Sequence, residues 1–246
     1  MINPRLLNVF VPEKLKRYVH AVSDSRTTLD VLLDYLEKSP EFREFLWDRS
    51  RVRWRQASPD SALTWGKKPS GVPFLRKIQQ NVSGGGSLRV LEIGPGYGRL
   101  LEAAAQIGFQ YQSWTGVDIS EKNIAYLREH HSEPRNNWIQ GDIERVSLDQ
   151  TFNLCLSSLT LKHMFPTLEA AVQNIGHHLD KDGYLIFDCI EGQRRYFEAD
   201  GITWIRWYQR EELSEVLQRT GFGNVRFDWV SHGRGYRRLL VFGLRL

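Results

Sequence analysis

Three glycines at alternate positions follow a short apolar run, and this stretch constrains the fold more than any other part of the chain. The run covers residues 90–93, apolar except for the acidic Glu92, the glycine turn covers residues 94–98, and a helical pattern begins at Arg99. Glycine adopts positive φ without strain, and it lets a ligand approach the backbone where a side chain would collide. The first N–H groups of a helix lack intrahelical partners and point into the same gap. The stretch therefore predicts a buried strand, a tight turn and a helix N-terminus that together bind a ligand.

Strand and helix patterns alternate from Leu88 to the last residue. This alternation predicts a parallel sheet with helices on both faces. The predicted strands cover residues 88–93, 112–117, 138–140, 152–156, 184–190, 225–230 and 238–244. The predicted helices cover residues 99–107, 167–179 and 210–220, and a further helix follows its N-cap at Ser120. The last two strands flank a short turn with two glycines, so they are predicted to form a hairpin.

Glu92 opens the pattern E-x-G-x-G-x-G, which resembles the first motif of the class I S-adenosylmethionine-dependent methyltransferases. The dinucleotide-binding fingerprint G-x-G-x-x-G has its third glycine one position later, where this chain has Arg99. A terminal hairpin with an antiparallel last strand is also typical of these methyltransferases and is missing from dinucleotide dehydrogenases. The resemblance spans residues 88–246. It implies an α/β fold, a three-layer α/β/α sandwich around a mostly parallel seven-stranded sheet with an antiparallel last strand.

The resemblance also implies that S-adenosyl-L-methionine binds as cofactor at the carboxyl ends of successive strands. Asp118 would accept hydrogen bonds from both ribose hydroxyls, and Asp142 would accept one from the adenine amino group. Glu92 would orient the glycine turn. The backbone N–H of Ile143 would meet an adenine ring nitrogen, and the backbone at Ser157 would meet the methionine amino group. The expected cofactor-binding residues are Glu92, Gly94, Gly96, Tyr97, Gly98, Asp118, Ile119, Asp142, Ile143 and Ser157.

Alternatives stay open for the two aspartates and for the cofactor. Asp118 could cap the next helix, a role for which Ser120 competes, and Asp142 could simply end a strand, because aspartate is common in turns. A nicotinamide dinucleotide is the rival cofactor, since its ribose carboxylate would fall at a similar spacing. Against it stand the early third glycine and the tyrosines. None of the nine tyrosines has a lysine four residues later, the pairing that many short-chain dehydrogenases use.

The first 86 residues lie outside the resemblance and are predicted to form a helical extension or lid, with residues 87–246 as the methyltransferase core. One helix is predicted over residues 25–37, and another starts at Pro40. The apolar stripe of the second helix is predicted to consist of Phe42, Phe45 and Leu46. Residues 83–87, which are serine and glycine, indicate a flexible joint between the two units.

Positive charge is concentrated in the same extension. The chain has a net charge of +4, and its first 86 residues hold 15 Lys and Arg against 9 Asp and Glu. Four arginines alternate with Val52 and Trp54 between residues 49 and 55. A solvated helical surface is the favoured interpretation, and attraction of an anionic substrate or of nucleic acid is the alternative.

His163, six residues after Ser157, is the candidate catalytic base for the acceptor. A neutral imidazole can take up a proton near pH 7. A purely structural role for His163 stays open. Four aromatic residues could line an acceptor pocket or simply pack onto the sheet: Tyr196, Trp204, Trp207 and Tyr208. In the extension, Trp65 and Phe74 are expected to reach the ligand. No group of His, Cys, Asp and Glu has metal-ligand spacing, so no metal is predicted.

These observations predict a methyltransferase that modifies oxygen or nitrogen of a small-molecule acceptor, aromatic or anionic in character. RNA is the alternative acceptor, because of the basic extension. A non-catalytic cofactor-binding subunit and an NAD(P)-dependent oxidoreductase are less favoured. No apolar run approaches the roughly 18 residues of a spanning helix, and the first residues lack a signal-peptide core. Both cysteines, Cys155 and Cys189, lie in apolar runs. We therefore expect a cytoplasmic protein without a membrane partner.

Overall fold

The computed structural model describes residues 40–61, 71–82, 87–231 and 237–246. Its helices are α1 (Pro40–Arg55), α2 (Val72–Asn81), α3 (Arg99–Ile107), α4 (Glu121–His130), α5 (Glu169–His177) and α6 (Arg210–Arg219). Its strands are β1 (Arg89–Ile93), β2 (Ser113–Asp118), β3 (Asn136–Gln140), β4 (Phe152–Ser157), β5 (Leu179–Cys189), β6 (Arg195–Phe197), β7 (Trp204–Arg206), β8 (Phe222–Ser231) and β9 (Arg237–Arg245). A short 3-10 helix covers Leu161–His163. The predicted helix over 25–37, Trp65 and the predicted joint, apart from Ser87, lie outside the described residues.

Seven strands form one sheet in the order β3-β2-β1-β4-β5-β9-β8. β1 pairs in parallel with β2 on one side and with β4 on the other, so Val90 faces Trp114 and Leu154. β9 runs antiparallel to both β5 and β8. The strand order reverses between β1 and β4, and ligands of open α/β sheets bind at such a point. The predicted mostly parallel sheet with an antiparallel last strand is confirmed.

Apolar side chains cover both faces of the sheet, because successive residues of a buried strand point to opposite sides. Leu91 belongs to a cluster that includes residues of α5 and α6, among them Val172 and Leu217. Val90 belongs to a second cluster that includes residues of α2, α3 and α4, among them Phe74 and Leu127. The sheet is therefore the middle layer of a three-layer sandwich, and the structure confirms the predicted fold class.

β5 and the β6–β7 hairpin differ from the prediction. β5 begins at Leu179, because the Asp182-Gly183 step lies inside the strand as an irregularity, with Asp182 at a φ of 63°, and does not precede it. β6 and β7 pair antiparallel in a separate two-stranded sheet that the sequence did not indicate. Each has three residues, too few to show a period-2 pattern.

α1 starts at Pro40 as predicted, but it buries a different face. Phe45, placed on the apolar stripe, is 40% exposed, whereas Trp47, Ser50 and Arg51 are buried. These three residues share one side of the helix, because positions three and four apart are neighbours. The buried side carries polar groups since it packs against acidic residues that follow β3.

Candidate active site

A cavity of about 440 Å³ opens at the carboxyl ends of β1 to β4, with residues at the end of α1 and just after it on one side. The predicted site residues that line it are Glu92, Gly94, Gly96, Tyr97, Asp118, Ile119, Asp142, Ile143 and His163. Gly98 and Ser157 do not line it. The cavity therefore brings together nearly all of the residues that the sequence singled out, across both sides of the strand-order reversal.

The glycine turn is built from residues with positive φ: 70° at Gly94, 60° at Gly96 and 95° at Gly98. A Cβ on Gly94 would lie 2.3 Å from Oγ1 of Thr160, so no side chain fits there. Gly98 is the N-cap of α3, and a Cβ there would lie 2.7 Å from Nε2 of His131. Gly94 and Gly96 thus line the cavity with backbone alone, whereas Gly98 precedes α3 and packs against His131.

Asp118 ends β2, and its buried carboxylate accepts hydrogen bonds from two backbone N–H groups. It accepts hydrogen bonds from the N–H of Gly96 at 3.1 Å and from the N–H of Ser120 at 2.8 Å. Burial raises the pKa of Asp118 to about 6 despite these bonds. The hydroxyl of Ser120 accepts from the N–H of Asn123 at 3.2 Å and so caps α4, which leaves Asp118 facing the cavity.

Glu92 is buried at the end of β1 and accepts a hydrogen bond from Nε1 of Trp114 at 2.9 Å. Burial raises the pKa of Glu92 to about 7. A single neutral donor does not compensate a buried charge. Ser157, at the end of β4, donates from its hydroxyl to the carbonyl of Ile93 at 3.3 Å, so its side chain joins β4 to β1 away from the cavity.

Asp142 follows β3 and forms an ion pair with α1. Its Oδ2 lies 3.0 Å from Nε of Arg51, and Nη2 of the same guanidinium lies 2.7 Å from Oε1 of Glu144. The side chain of Arg51 is 3% exposed, so the expectation that the alternating arginines form a solvated surface is wrong for this residue. The sequence carried no signal for this pair, because its partners are about ninety positions apart.

His163 lies in the half of the cavity beyond the glycine turn. Its Nδ1 is 2.7 Å from the carbonyl oxygen of Trp204, and its ring centroid is 4.3 Å from that of Trp54. Burial, reinforced by the adjacent Lys162, holds the pKa of His163 well below its usual value. The ring is therefore neutral at pH 7, with the Nδ1 proton donated to Trp204 and Nε2 left as the basic nitrogen.

The aromatic residues expected to line the acceptor pocket are elsewhere. Trp204 packs against Phe165 and Phe197, and the buried Tyr208 accepts a hydrogen bond at its hydroxyl from the N–H of Leu168. Tyr196, Trp207 and Phe74 do not line the cavity either, and Phe74 is part of the core. The residues that line the cavity beyond those predicted include Arg53, Trp54, Arg99, Ser158, Lys162, Met164, Glu198, Ile202, Thr203 and Ile205.

Lys162 and Arg99 were missed among the site residues, although both stand beside predicted ones in sequence. Lys162 precedes His163, and Arg99 follows Gly98. Within the ranges that the structure covers, no helix is long and apolar enough to cross a membrane, and no three His, Cys, Asp or Glu side chains group as metal ligands.

Comparisons with known proteins agree with this geometry. Residues 90–183 match the family described as a methyltransferase domain. The malonyl-[acyl-carrier protein] O-methyltransferase of Bacillus anthracis is 29% identical over 54% of this chain and 48% of its own length. The fatty-acid O-methyltransferase of Mycolicibacterium smegmatis is 26% identical over 40% of this chain and 36% of its own. The chain thus spans about half the length, or less, of these curated relatives.

A solved structure gives the same fold. The glycopeptide N-methyltransferase MtfA, complexed with S-adenosyl-L-homocysteine, superposes with a TM-score of 0.59 over 72% of this chain and 90% of its own, at 17% identity. The strand order, the three-glycine turn after an acidic residue and the matching domain all agree. Residues 90–183 thus match a methyltransferase domain, and the described part of the chain has the fold of a class I S-adenosylmethionine-dependent methyltransferase.

Proposed function

We propose that the protein transfers the methyl group of S-adenosylmethionine to an oxygen or nitrogen of a small-molecule acceptor. The observation that carries this proposal is one continuous cavity with two chemically different halves. One half is the glycine turn with two buried carboxylates, Glu92 and Asp118, and the other half holds the neutral ring of His163. Bound cofactor would supply an already activated methyl group, so the chain has to bind, orient and exclude water.

The cofactor half fits the group that it would hold. Gly94 and Gly96 line the cavity and carry no side chain, so a ligand can approach their backbone closely. Asp118 accepts from the N–H groups of Gly96 and Ser120 and, at 3.4 Å, from the amide of Asn123. With about four acceptor sites on its two oxygens, it retains capacity for a ribose hydroxyl and can exchange the long Asn123 bond for the second. Asp142 is held by Arg51 and would accept from the adenine amino group. We assign these three contacts to the methionine, ribose and adenine portions respectively.

The acceptor half is enclosed by the end of α1 and by the segment 198–205. In this proposal, the first 86 residues are the extension that covers the site and residues 87–246 are the catalytic core. For a hydroxyl or amine acceptor, Nε2 of His163 is the atom that would take the proton, because Nδ1 is engaged by Trp204.

The contacts of the four alternating arginines favour a small acceptor over RNA. Arg51 is buried, Arg53 pairs with Asp200 at 2.7 Å, and Arg55 pairs with Asp48 at 2.6 Å. Arg49 donates to the carbonyl of Gly201, in the 198–205 segment, at 3.1 Å. All four are thus occupied within the chain. The two curated relatives are both named as O-methyltransferases, which favours oxygen as the methylated atom.

The test is methyl transfer from S-adenosylmethionine with a labelled methyl group to a panel of small carboxylates, phenols and amines. Wild-type protein should label at least one acceptor. The variant Asp118→Ala should lower kcat/KM about 100-fold, because it removes charged hydrogen bonds to two hydroxyls. The matched control Asp149→Ala changes an exposed aspartate and should retain activity. Transfer that persists undiminished in Asp118→Ala would overturn the assignment of this cavity.

A further inference from the structure

We propose that the acceptor half of the cavity contains a carboxylate-binding subsite formed by Lys162 and Arg99, and that the acceptor is a carboxylic acid methylated on its ionised oxygen. This inference rests on the proposed function, because it names the substrate class of the same cavity. Its grounds are two cations that line the cavity, the buried Lys162 and the half-buried Arg99, whose buried Nη1 is an unused donor.

Lys162 is a buried cation at the cavity wall. It lies on the 3-10 helix Leu161–His163 and is 5% exposed. Burial and the nearby Arg238 lower the pKa of Lys162 to about 8, and the carboxylates of Asp188 and Glu198 only partly oppose this shift. The ammonium is therefore still charged at pH 7 in a site that penalises charge. An anion beside it would relieve that penalty.

Arg99 presents an unused hydrogen-bond donor in the same cavity. Its Nη2 donates to Oγ of Ser158 at 2.7 Å. Its Nη1 is buried and has no hydrogen-bond partner among the residues that the structure describes. A buried guanidinium nitrogen without a partner carries a desolvation penalty. The planar fork of arginine matches the two oxygens of a carboxylate, so such a ligand would satisfy this nitrogen.

Three carboxylates of the chain act on these cations. Asp188 and Glu198 act on Lys162, Asp188 also acts on Arg238, and Glu92 acts on Arg99. Asp188 is already hydrogen-bonded, because it accepts from the hydroxyl of Ser158 and from the N–H of Leu159, both at 2.8 Å. A ligand carboxylate would give Lys162 and Nη1 of Arg99 a further partner.

The surrounding wall indicates what the carboxylate is attached to. The cavity there is lined by Trp54, Met164, Ile202 and Ile205, which offer an apolar surface. Aliphatic and aromatic bodies pack favourably against such side chains. The acceptor class is therefore a small carboxylic acid with an apolar or aromatic body.

Methylation of an ionised carboxylate needs no catalytic base. A carboxylate oxygen forms a bond to the methyl carbon through a lone pair, and the methyl carbon–sulfur bond breaks with its electron pair left on sulfur. The cation and the anion become a neutral methyl ester and a neutral thioether. No proton is released. His163 then has a positioning role through its bond to Trp204 and its contact with Trp54, and proton removal by its Nε2 is not required.

The carboxylate of the cofactor's own methionine is the competing occupant. Two observations on Lys162 favour the acceptor. Lys162 directly precedes His163, and it is acted on by Glu198, which lies in the segment 198–205. Arg99 directly follows the glycine turn and does not discriminate between the two occupants. An experiment separates the two sources by measuring cofactor and acceptor affinity independently.

Calorimetric titration of the protein saturated with S-adenosylhomocysteine provides that separation. The probes are carboxylate and amide pairs, octanoate with octanamide and benzoate with benzamide, which differ in charge but little in shape. At least one carboxylate should bind about tenfold tighter than its amide. Lys162→Met should abolish this preference and leave the affinity for S-adenosylhomocysteine within about twofold, which also shows that the variant is folded. Lys122→Met, an exposed change on α4, should preserve the preference.

Four outcomes would overturn the proposal, the last of them without affecting the proposed function. The first is amides that bind as tightly as carboxylates. The second is a Lys162→Met variant that loses affinity for S-adenosylhomocysteine and keeps the carboxylate preference, because the subsite would then belong to the cofactor. The third is a His163→Gln variant that binds S-adenosylhomocysteine normally and loses about 100-fold or more in kcat toward the methylated carboxylate, as loss of a base would cause. Methyl transfer to neutral acceptors alone would contradict the subsite and leave the proposed function standing.

Discussion

Gly94 and Gly108 provide a matched test of the glycine turn. Their φ values are 70° and 67°, but a Cβ on Gly94 would lie 2.3 Å from Oγ1 of Thr160, whereas nothing lies within 4 Å at Gly108. Gly108→Ala should lower the free energy of unfolding by about 1 kcal/mol, from backbone strain alone. Gly94→Ala should lower it by about 2–5 kcal/mol and abolish cofactor binding, because overpacking is added. Urea denaturation and calorimetry measure both. Equal losses in the two variants would contradict the close approach.

Glu92 should make the stability of the free protein depend on pH. Burial raises its pKa from 4.5 to about 7, so folding favours the protonated form. Its contribution to the free energy of unfolding is fully present below about pH 4.5 and is lost as pH rises through about 7. The loss amounts to about 3 kcal/mol. Glu92→Gln keeps an acceptor for Trp114 and cannot ionise. Its stability should therefore rise relative to wild type between pH 4.5 and 8 by roughly that amount.

Urea denaturation at a series of pH values measures the effect of Glu92→Gln. The control is Glu102→Gln, which changes an exposed glutamate on α3 and should follow the wild-type curve. A curve for Glu92→Gln that stays parallel to wild type would show that Glu92 does not carry the raised pKa.

At the scale of elements, the end of α1 connects three strand ends. Arg51 bonds to Asp142 after β3, and the ring of Trp54 contacts His163 after β4. Just past the helix, the carbonyl of Ala57 accepts from the hydroxyl of Ser120 after β2, at 2.7 Å. The helix is thus attached beside Asp118 and Asp142, two of the three predicted cofactor carboxylates, and beside His163.

Replacement of Arg51 should therefore weaken cofactor binding. Arg51→Met leaves Asp142 and Glu144, whose side chains are 13% and 6% exposed, without their cation. Removal of one partner of a buried ion pair costs about 3–5 kcal/mol of stability, and we expect the dissociation constant for S-adenosylmethionine to rise about tenfold. Arg55→Met is the matched control, because Arg55 is on the same helix and its pair with Asp48 is exposed. Calorimetry of both variants measures the difference, and equal affinities would contradict the role of α1.

The strands of the core were predictable, whereas the buried face of α1 and the β6–β7 hairpin were not, for physical reasons. The short, mostly apolar run at 90–93 is followed directly by the glycine turn, so local pattern was sufficient to predict a buried strand there. Arg51 is buried by an ion pair with residues far along the chain, and nothing local distinguishes it from Arg55. Trp204 likewise depends on Phe165 and Phe197, which are remote from each other in sequence.

At the scale of the whole molecule, the two halves of the site have different origins. The proposed cofactor half lies on strand ends of the sheet, so strand patterns and the motif of Glu92 were enough to single out residues that line the cavity there. Gly98 and Ser157 were also predicted to bind the cofactor, but they do not line the cavity. Gly98 packs against His131 as the N-cap of α3, and the hydroxyl of Ser157 bonds from β4 to β1. The acceptor half is enclosed by α1 and the segment 198–205, whose positions follow from tertiary contacts. Lys162 and Arg99 became recognisable as site residues only in that context.

The most direct test of the account is calorimetric titration of the purified protein with S-adenosylmethionine and, separately, with NADH. The account predicts one molecule of S-adenosylmethionine bound per chain, with a dissociation constant on the order of micromolar, and no heat from NADH. Binding of NADH without binding of S-adenosylmethionine would contradict the interpretation of the glycine turn and, with it, the proposed chemistry of the cavity.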